Sequence, residues 1–166
     1  MRVVSSESPV RPRALRRLAI PVVVVAVLAT TACSVPVSVP APESAADPAC
    51  STVMLALPQE IDSLGKRVTT SQSTGAWGDP AAVVLSCGTP ERGPSSDPCT
   101  TVDGVDWTAK ENEDGGSWTL TAYGRVPRIE VTIDTSKVSS AAVAAALSPA
   151  VSLSPASKHC SAPAAG

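Results

Sequence analysis

Hydrophobic and polar residues alternate most cleanly from Arg128 to Asp134, where Ile129, Val131 and Ile133 share one face and Arg128, Glu130 and Thr132 the other. A period of two belongs to a strand with one face buried, so this stretch predicts a half-buried antiparallel strand. Ala81 to Cys87 is instead a continuous apolar run around Val83, Val84 and Leu85, the pattern of a buried strand entered from the turn Trp77-Gly78-Asp79-Pro80. Lys66 to Ser71 is β-prone through Val68 and its threonines. The β-prone runs Val102 to Thr108 and Ser117 to Tyr123 flank the acidic, glycine-ended segment Glu111 to Gly116, which predicts a hairpin with that segment at its tip. Gly124-Arg125-Val126-Pro127 then turns the chain again.

Helical patterns stand at the two ends of this strand-rich stretch. Ser51 to Leu57 is a short apolar helix candidate, capped by Ser51 or Thr52 and limited by Pro58. Ser136 to Leu147 offers a thin apolar face of Val138, Ala142, Ala145 and Ala146, and Ser148-Pro149 is read as its stop. Strands in the middle and helices at the ends argue for an α+β fold: a small antiparallel sheet with a helix near each end of the domain packed on one face. No internal repeat is present.

Upstream lies a different pattern. The basic run Arg11-Pro12-Arg13-Ala14-Leu15-Arg16-Arg17 precedes fifteen mostly apolar residues, Leu18 to Ala32, and then Cys33. A basic stretch, an apolar stretch of roughly 7–15 residues and small residues at a cleavage point form an export signal; a membrane span needs about 20 apolar residues. Thr30-Thr31-Ala32-Cys33 is similar to a bacterial lipoprotein cleavage box, with Thr30 where leucine is usual. Lipid attachment at Cys33 is the leading reading. Ordinary cleavage near Ala29 or Ala32 and an uncleaved apolar anchor are the alternatives, and all three place the rest of the chain outside the cytoplasmic membrane. The organisation expected is a targeting segment (1–32), Cys33 with a Pro/Ala-rich linker (33–48), an α+β domain (49–152) and a Ser/Ala/Pro-rich tail holding Cys160 (153–166).

Charge narrows the partners. Residues 1–32 hold five of the 13 bases and one of the 15 acids, which leaves eight bases against fourteen acids, a net −6, for residues 33–166. An acidic surface repels nucleic acid and anionic lipid, so the basic signature of either partner is missing. The chain has no Phe, and Trp77, Trp107, Trp118 and Tyr123 are its only large rings, so the core leans on aliphatic side chains and gains from covalent staples. With Cys33 lipidated, Cys50, Cys87, Cys99 and Cys160 form an even set in an oxidising compartment. Of three pairings, Cys87–Cys99, closing the Pro/Gly-rich excursion Gly88 to Pro98, with Cys50–Cys160 joining the domain ends, is favoured. No Cys-x-x-Cys pair supports a metal site, and no cofactor is expected.

The residues Trp77-Gly78-Asp79-Pro80, Cys87-Gly88, Cys99, Gly104-Val105-Asp106-Trp107 and Tyr123-Gly124-Arg125-Val126-Pro127, in that order, resemble the actinobacterial domain-of-unknown-function family 3515 over roughly residues 48 to 152. The resemblance implies one exported or membrane-anchored domain with a cysteine-closed loop, and no assigned activity.

Candidate chemistry is sparse. His159, the only histidine, lies in the tail beside Cys160, a poor place for an acid–base group. Glu111, Glu113 and Asp114 lack the spacing of a calcium loop and read as a hairpin tip. Asp79 reads as a turn or capping carboxylate. Arg125, after a glycine that admits close backbone approach, is the sharpest candidate for binding an anion or sugar acid with Trp107, Trp77 and Tyr123; the bland reading is an ion pair with Asp103, Asp106 or Glu130. The expected function is a non-enzymatic envelope lipoprotein that binds a partner protein or cell-wall component. The alternatives are a small anionic-ligand or sugar receptor built on Arg125 and Trp107 and, last, a hydrolase.

Overall fold

The computed structural model describes residues 35–93 and 96–160. The expected export signal and the expected lipidation site, Cys33, lie outside these residues.

Helix α1, Pro48–Ala56, starts three residues before the sequence reading placed it. Asp47 caps it by accepting from the Ala49 amide (2.8 Å), and Pro48 fills the first helical position, where no N–H is needed. Eight strands follow: β1 Glu60–Ile61, β2 Leu64–Arg67, β3 Thr74–Trp77, β4 Val83–Cys87, β5 Cys99–Val102, β6 Val105–Glu111, β7 Ser117–Ala122 and β8 Ile129–Asp134. They form one antiparallel sheet in the order β1-β2-β3-β4-β8-β7-β6-β5. The run Val102 to Thr108, read as one strand, is broken into β5 and β6 by Asp103 (φ 46°) and Gly104 (φ 77°), both left-handed. That is the Asp-Gly hairpin turn whose twist suits two adjacent strands.

Helix α2, Ser140–Val151, is capped by the Ser139 hydroxyl, which accepts from the Ala142 amide at 3.2 Å. Ser136, expected inside the helix, instead bonds Asp134 through its amide and hydroxyl. Pro149 does not stop the helix. It forfeits one backbone bond, while Leu147, Ser148, Ala150 and Val151 around it are buried, and that burial outweighs the loss.

Both helices pack on one face of the sheet, as the α+β reading expected. Its strands send Leu85, Val105, Trp107, Leu120, Val131 and Ile133 toward Val53 of α1 and Val143, Leu147 and Val151 of α2. Each fully buried aliphatic side chain contributes about 1.5–3 kcal/mol. Two indoles orient the layer: Trp77 donates to Pro58 O and Trp107 to the Ser148 hydroxyl, each at 3.0 Å.

Faces also decide the disulfides, and here the expected pairing is corrected. The bonds are Cys50–Cys87 (Cα–Cα 5.7 Å) and Cys99–Cys160 (5.9 Å). Cys87 pairs in register with Ile129 and faces the helices, where Cys50 waits on α1, whereas Cys99 lies opposite Thr108 on the other face. Three strands also stand between β4 and β5, so the two are about 19 Å apart at the usual strand spacing. A Cys87–Cys99 bond would have to cross the sheet.

The segment read as a free linker is seated on the body. Val37 N donates to Val68 O (2.8 Å), Thr70 N to Val37 O (3.0 Å) and Ser44 N to Gly88 O (2.9 Å). Gly88 (φ +91°) allows that approach: a Cβ there would sit 2.5 Å from Ser44 O.

Replacing Ser148 by alanine leaves the buried Trp107 N–H without its acceptor. We expect a loss of about 1–3 kcal/mol in urea unfolding followed by tryptophan fluorescence; an unchanged midpoint and slope would show that the bond does not anchor α2.

Candidate functional site

The face of the sheet turned away from the helices is polar along β6, β7 and β8. Register sets Thr108 beside Thr121, Lys110 beside Thr119, Thr119 beside Thr132 and Thr121 beside Glu130. This surface floors an open groove of about 1080 Å³. One wall is the excursion after β4, with Glu91, Arg92 and Asp97; the other is the turn at Tyr123–Val126 together with Ser157 and Lys158 of the C-terminal segment.

The groove's charges are unevenly committed. Arg128 donates from Nε and Nη2 to Glu130 Oε1 (3.0 and 2.9 Å), and Arg92 approaches the same oxygen at 3.5 Å from an exposed position. Lys110 and Lys158 are exposed and have no ion-pair or hydrogen-bond partner on their side chains among the described residues. Asn112 is already used, donating to the Ser117 hydroxyl (2.8 Å) and accepting from Thr119 (2.9 Å).

The C-terminal wall is built by the residues the sequence reading singled out for other reasons. Arg125 donates to the carbonyls of Ser152 (3.1 Å), Ser154 (2.5 Å) and Gly104 (3.2 Å), so its guanidinium ties the β5–β6 turn to the chain leaving α2. None of Asp103, Asp106 or Glu130 pairs with it among the described residues. Gly124 (φ +69°) is where another group approaches, as its sequence position suggested: a Cβ would lie 2.1 Å from Lys158 O. Ser157 N bonds Gly124 O at 2.7 Å and Val126 N bonds Pro155 O at 3.0 Å, so the segment read as a tail is docked as far as Cys160.

Under this wall lies Asp106, whose side chain is 8% exposed. Its Oδ1 accepts from the Thr101 hydroxyl (2.5 Å), and its Oδ2 accepts from the Cys160 amide (3.0 Å) and lies 3.1 Å from His159 Nδ1. The Thr101 hydroxyl above all, with the Cys160 amide and His159, holds the carboxyl below the usual carboxylate range, against the opposing effect of burial. His159 itself is 76% exposed, and no hydroxyl or thiol is hydrogen-bonded to its ring among the described residues. The pair fastens a chain end; it is not a nucleophile–base arrangement.

The expected pocket of Arg125 with tryptophans does not form. Trp77 and Trp107 are buried on the helix side, their N–H groups spent on Pro58 and Ser148, while the Arg125 guanidinium is spent on the carbonyls of Gly104, Ser152 and Ser154. Tyr123 alone of the proposed rings lines the groove. Asp79, read as a turn or capping carboxylate, lies in the turn before β4 and pairs with Arg67 at 2.8 Å. Asp114 closes the hairpin tip by accepting from Gly116 N, Ser117 N and the Ser117 hydroxyl; the hydroxyl is the main influence holding its carboxyl low. Among the described residues, no three His, Cys, Asp or Glu side chains gather as metal ligands. The residues missed were Lys110, Thr108, Thr119 and Thr121, although their alternating polar phase along β6 and β7 was the available signal.

Because Asp106 titrates lower when folded than unfolded, its contribution is fully present above the ordinary carboxylate pKa and is lost as pH falls through the folded value. Asp106→Asn should therefore destabilise the domain by about 1–3 kcal/mol at pH 7 and by less at pH 3, measured by urea unfolding at both; an equal loss at both would contradict the charge-assisted role.

No curated protein and no solved structure matches this chain. A family model does: residues 17–159, most of the chain and including both seated segments, match the protein family of unknown function DUF3515, to which this chain belongs.

Proposed function

We propose that this is an exported protein, tethered to the outer face of the cytoplasmic membrane through Cys33, whose domain is a non-enzymatic module that holds an anionic component of the cell envelope in the groove. The two disulfides support an oxidising location. The observation that carries the ligand class is charge segregation. Five of the eight bases of residues 33–166 (Arg92, Lys110, Arg125, Arg128 and Lys158) line the groove with only three of the fourteen acids, Glu91, Asp97 and Glu130. The groove is net +2, while the rest of that segment is net −8.

Such a field draws anions to one surface and repels them elsewhere. Within the groove, Lys110 and Lys158 offer uncommitted ammonium groups, and threonine hydroxyls between them suit a ligand that carries both charge and hydroxyl groups. At about 1080 Å³ the open groove stands at the upper end of the usual small-ligand range of about 300–1000 Å³, with room for several units of a polymer.

Calorimetric titration with an oligogalacturonate at low salt tests this. Binding should weaken as salt rises, a neutral maltooligosaccharide should not bind, and Lys110→Glu with Lys158→Glu should cut affinity about tenfold, two exposed pairs at up to about 1 kcal/mol each. Equal binding of the neutral sugar, or full affinity in the double variant, would sink the anionic reading. Absence of binding to carboxylated and phosphorylated polymers alike would favour a protein partner.

A further inference from the structure

We infer that, in the lipid-tethered protein, the corner of the sheet carrying Val35 and Val68 rests against the outer leaflet instead of standing off from it on a spacer. This rests on the reading that Cys33 carries the lipid. The inference comes from where the folded body begins. Val37 is bonded on both sides of its peptide to the chain beyond β2, to Val68 O at 2.8 Å and from Thr70 N at 3.0 Å. Two residues earlier, Val35 O accepts from Arg67 Nη2 at 3.0 Å. The body therefore holds the chain from Val35 onward, and Ser34 alone separates that point from Cys33.

Two residue steps span at most about 7 Å. A headgroup layer is about 5–8 Å thick on each side of the hydrocarbon core, so a cysteine whose acyl chains are in the bilayer holds Val35 at the headgroup layer or within a few ångströms of it. The surface at this exit suits that contact. Val35 is 79% and Val68 65% exposed, two of the five large apolar side chains left in solvent among the described residues, and both lie beside the Val37–Thr69 bridge. Arg67 beside them is neutralised by Asp79 (2.8 Å), so this contact brings no uncompensated acid from that pair to an anionic leaflet. The tether supplies the effective concentration, and two valines then suffice to bias orientation without strong membrane affinity of their own.

The corner also lies well away from the groove. β2 and β8, the nearest strand of the groove floor, are separated by β3 and β4, about 14 Å at the usual spacing, so a leaflet under Val68 leaves the groove open to the envelope side.

The test uses the full chain produced in cells, extracted from membranes and reconstituted in phosphatidylglycerol–phosphatidylethanolamine vesicles. The photoreactive residue p-benzoylphenylalanine replaces either Val68 or Glu113 at the hairpin tip. Intact mass before irradiation reads the lipid at Cys33. Lipid adducts at position 68 should exceed those at 113 several-fold, and a Gly/Ser insertion of about six residues after Ser34, adding about 20 Å of reach, should remove the difference. A missing diacylglyceryl mass overturns the lipoprotein reading and this orientation with it. A lipidated protein with equal adducts at the two positions overturns the orientation alone, and adducts that persist in the insertion variant overturn the leash as its cause.

Discussion

The sheet carries both helices on one face and a docked C-terminal segment on the other, and each of these layers is fastened to it by its own disulfide. Cys50–Cys87 joins α1, the first helix, to the middle of the sheet on the helix side. Cys99–Cys160 joins the C-terminal segment to the edge strand on the open side. Their sequence separations of 37 and 61 residues correspond to about 4 kcal/mol each in the chain-entropy picture. For a core without Phe, in which aliphatic side chains do most of the filling, two such constraints are a large share of a typical net stability of about 5–15 kcal/mol.

The second bond makes the groove. Without it, nothing covalent would hold Ser157 and Lys158 across the end of β6 and β7, and Asp106 would lose the amide of Cys160 as a donor. The noncovalent fastenings are cooperative with it: Gly124 lets the segment lie flat, Arg125 collects the carbonyls where the chain leaves α2, and Asp106 receives the final turn. Arg125 is thus a builder of the groove's wall. The first bond acts likewise at the other end, since Cys87 precedes Gly88, the residue on which Ser44 rests.

What the sequence made legible follows the physics of single elements. The alternation around Ile129, Val131 and Ile133 identified β8, the acidic Gly-ended segment identified the β6–β7 hairpin, and the clustering of helices at both ends identified the α+β layering. Short-range signals were misread where a stronger cue competed. Asp103-Gly104 was absorbed into a β-prone run, and Pro149 was given more weight than the buried residues on either side of it. β3 was invisible because Thr74-Gly75-Ala76-Trp77 is buried on both faces and has no alternation. Disulfide pairing and the groove depend on which face a residue takes after eight strands are ordered, and no local pattern carries that. The same limit explains Trp107 and Arg125, neighbours in the expected site: the register of β6 turns Trp107 toward Ser148 of α2, while Arg125, in the turn after β7, is spent on the carbonyls of Gly104, Ser152 and Ser154.

The central claim is that each face of the sheet is closed by its own chain end through its own sulfur bridge. Peptide mapping of the unreduced mature protein, digested at acidic pH to prevent exchange, tests it directly. The account requires linked peptides containing Cys50 with Cys87 and Cys99 with Cys160. Recovery of Cys87 linked to Cys99, or of Cys50 linked to Cys160, would contradict it.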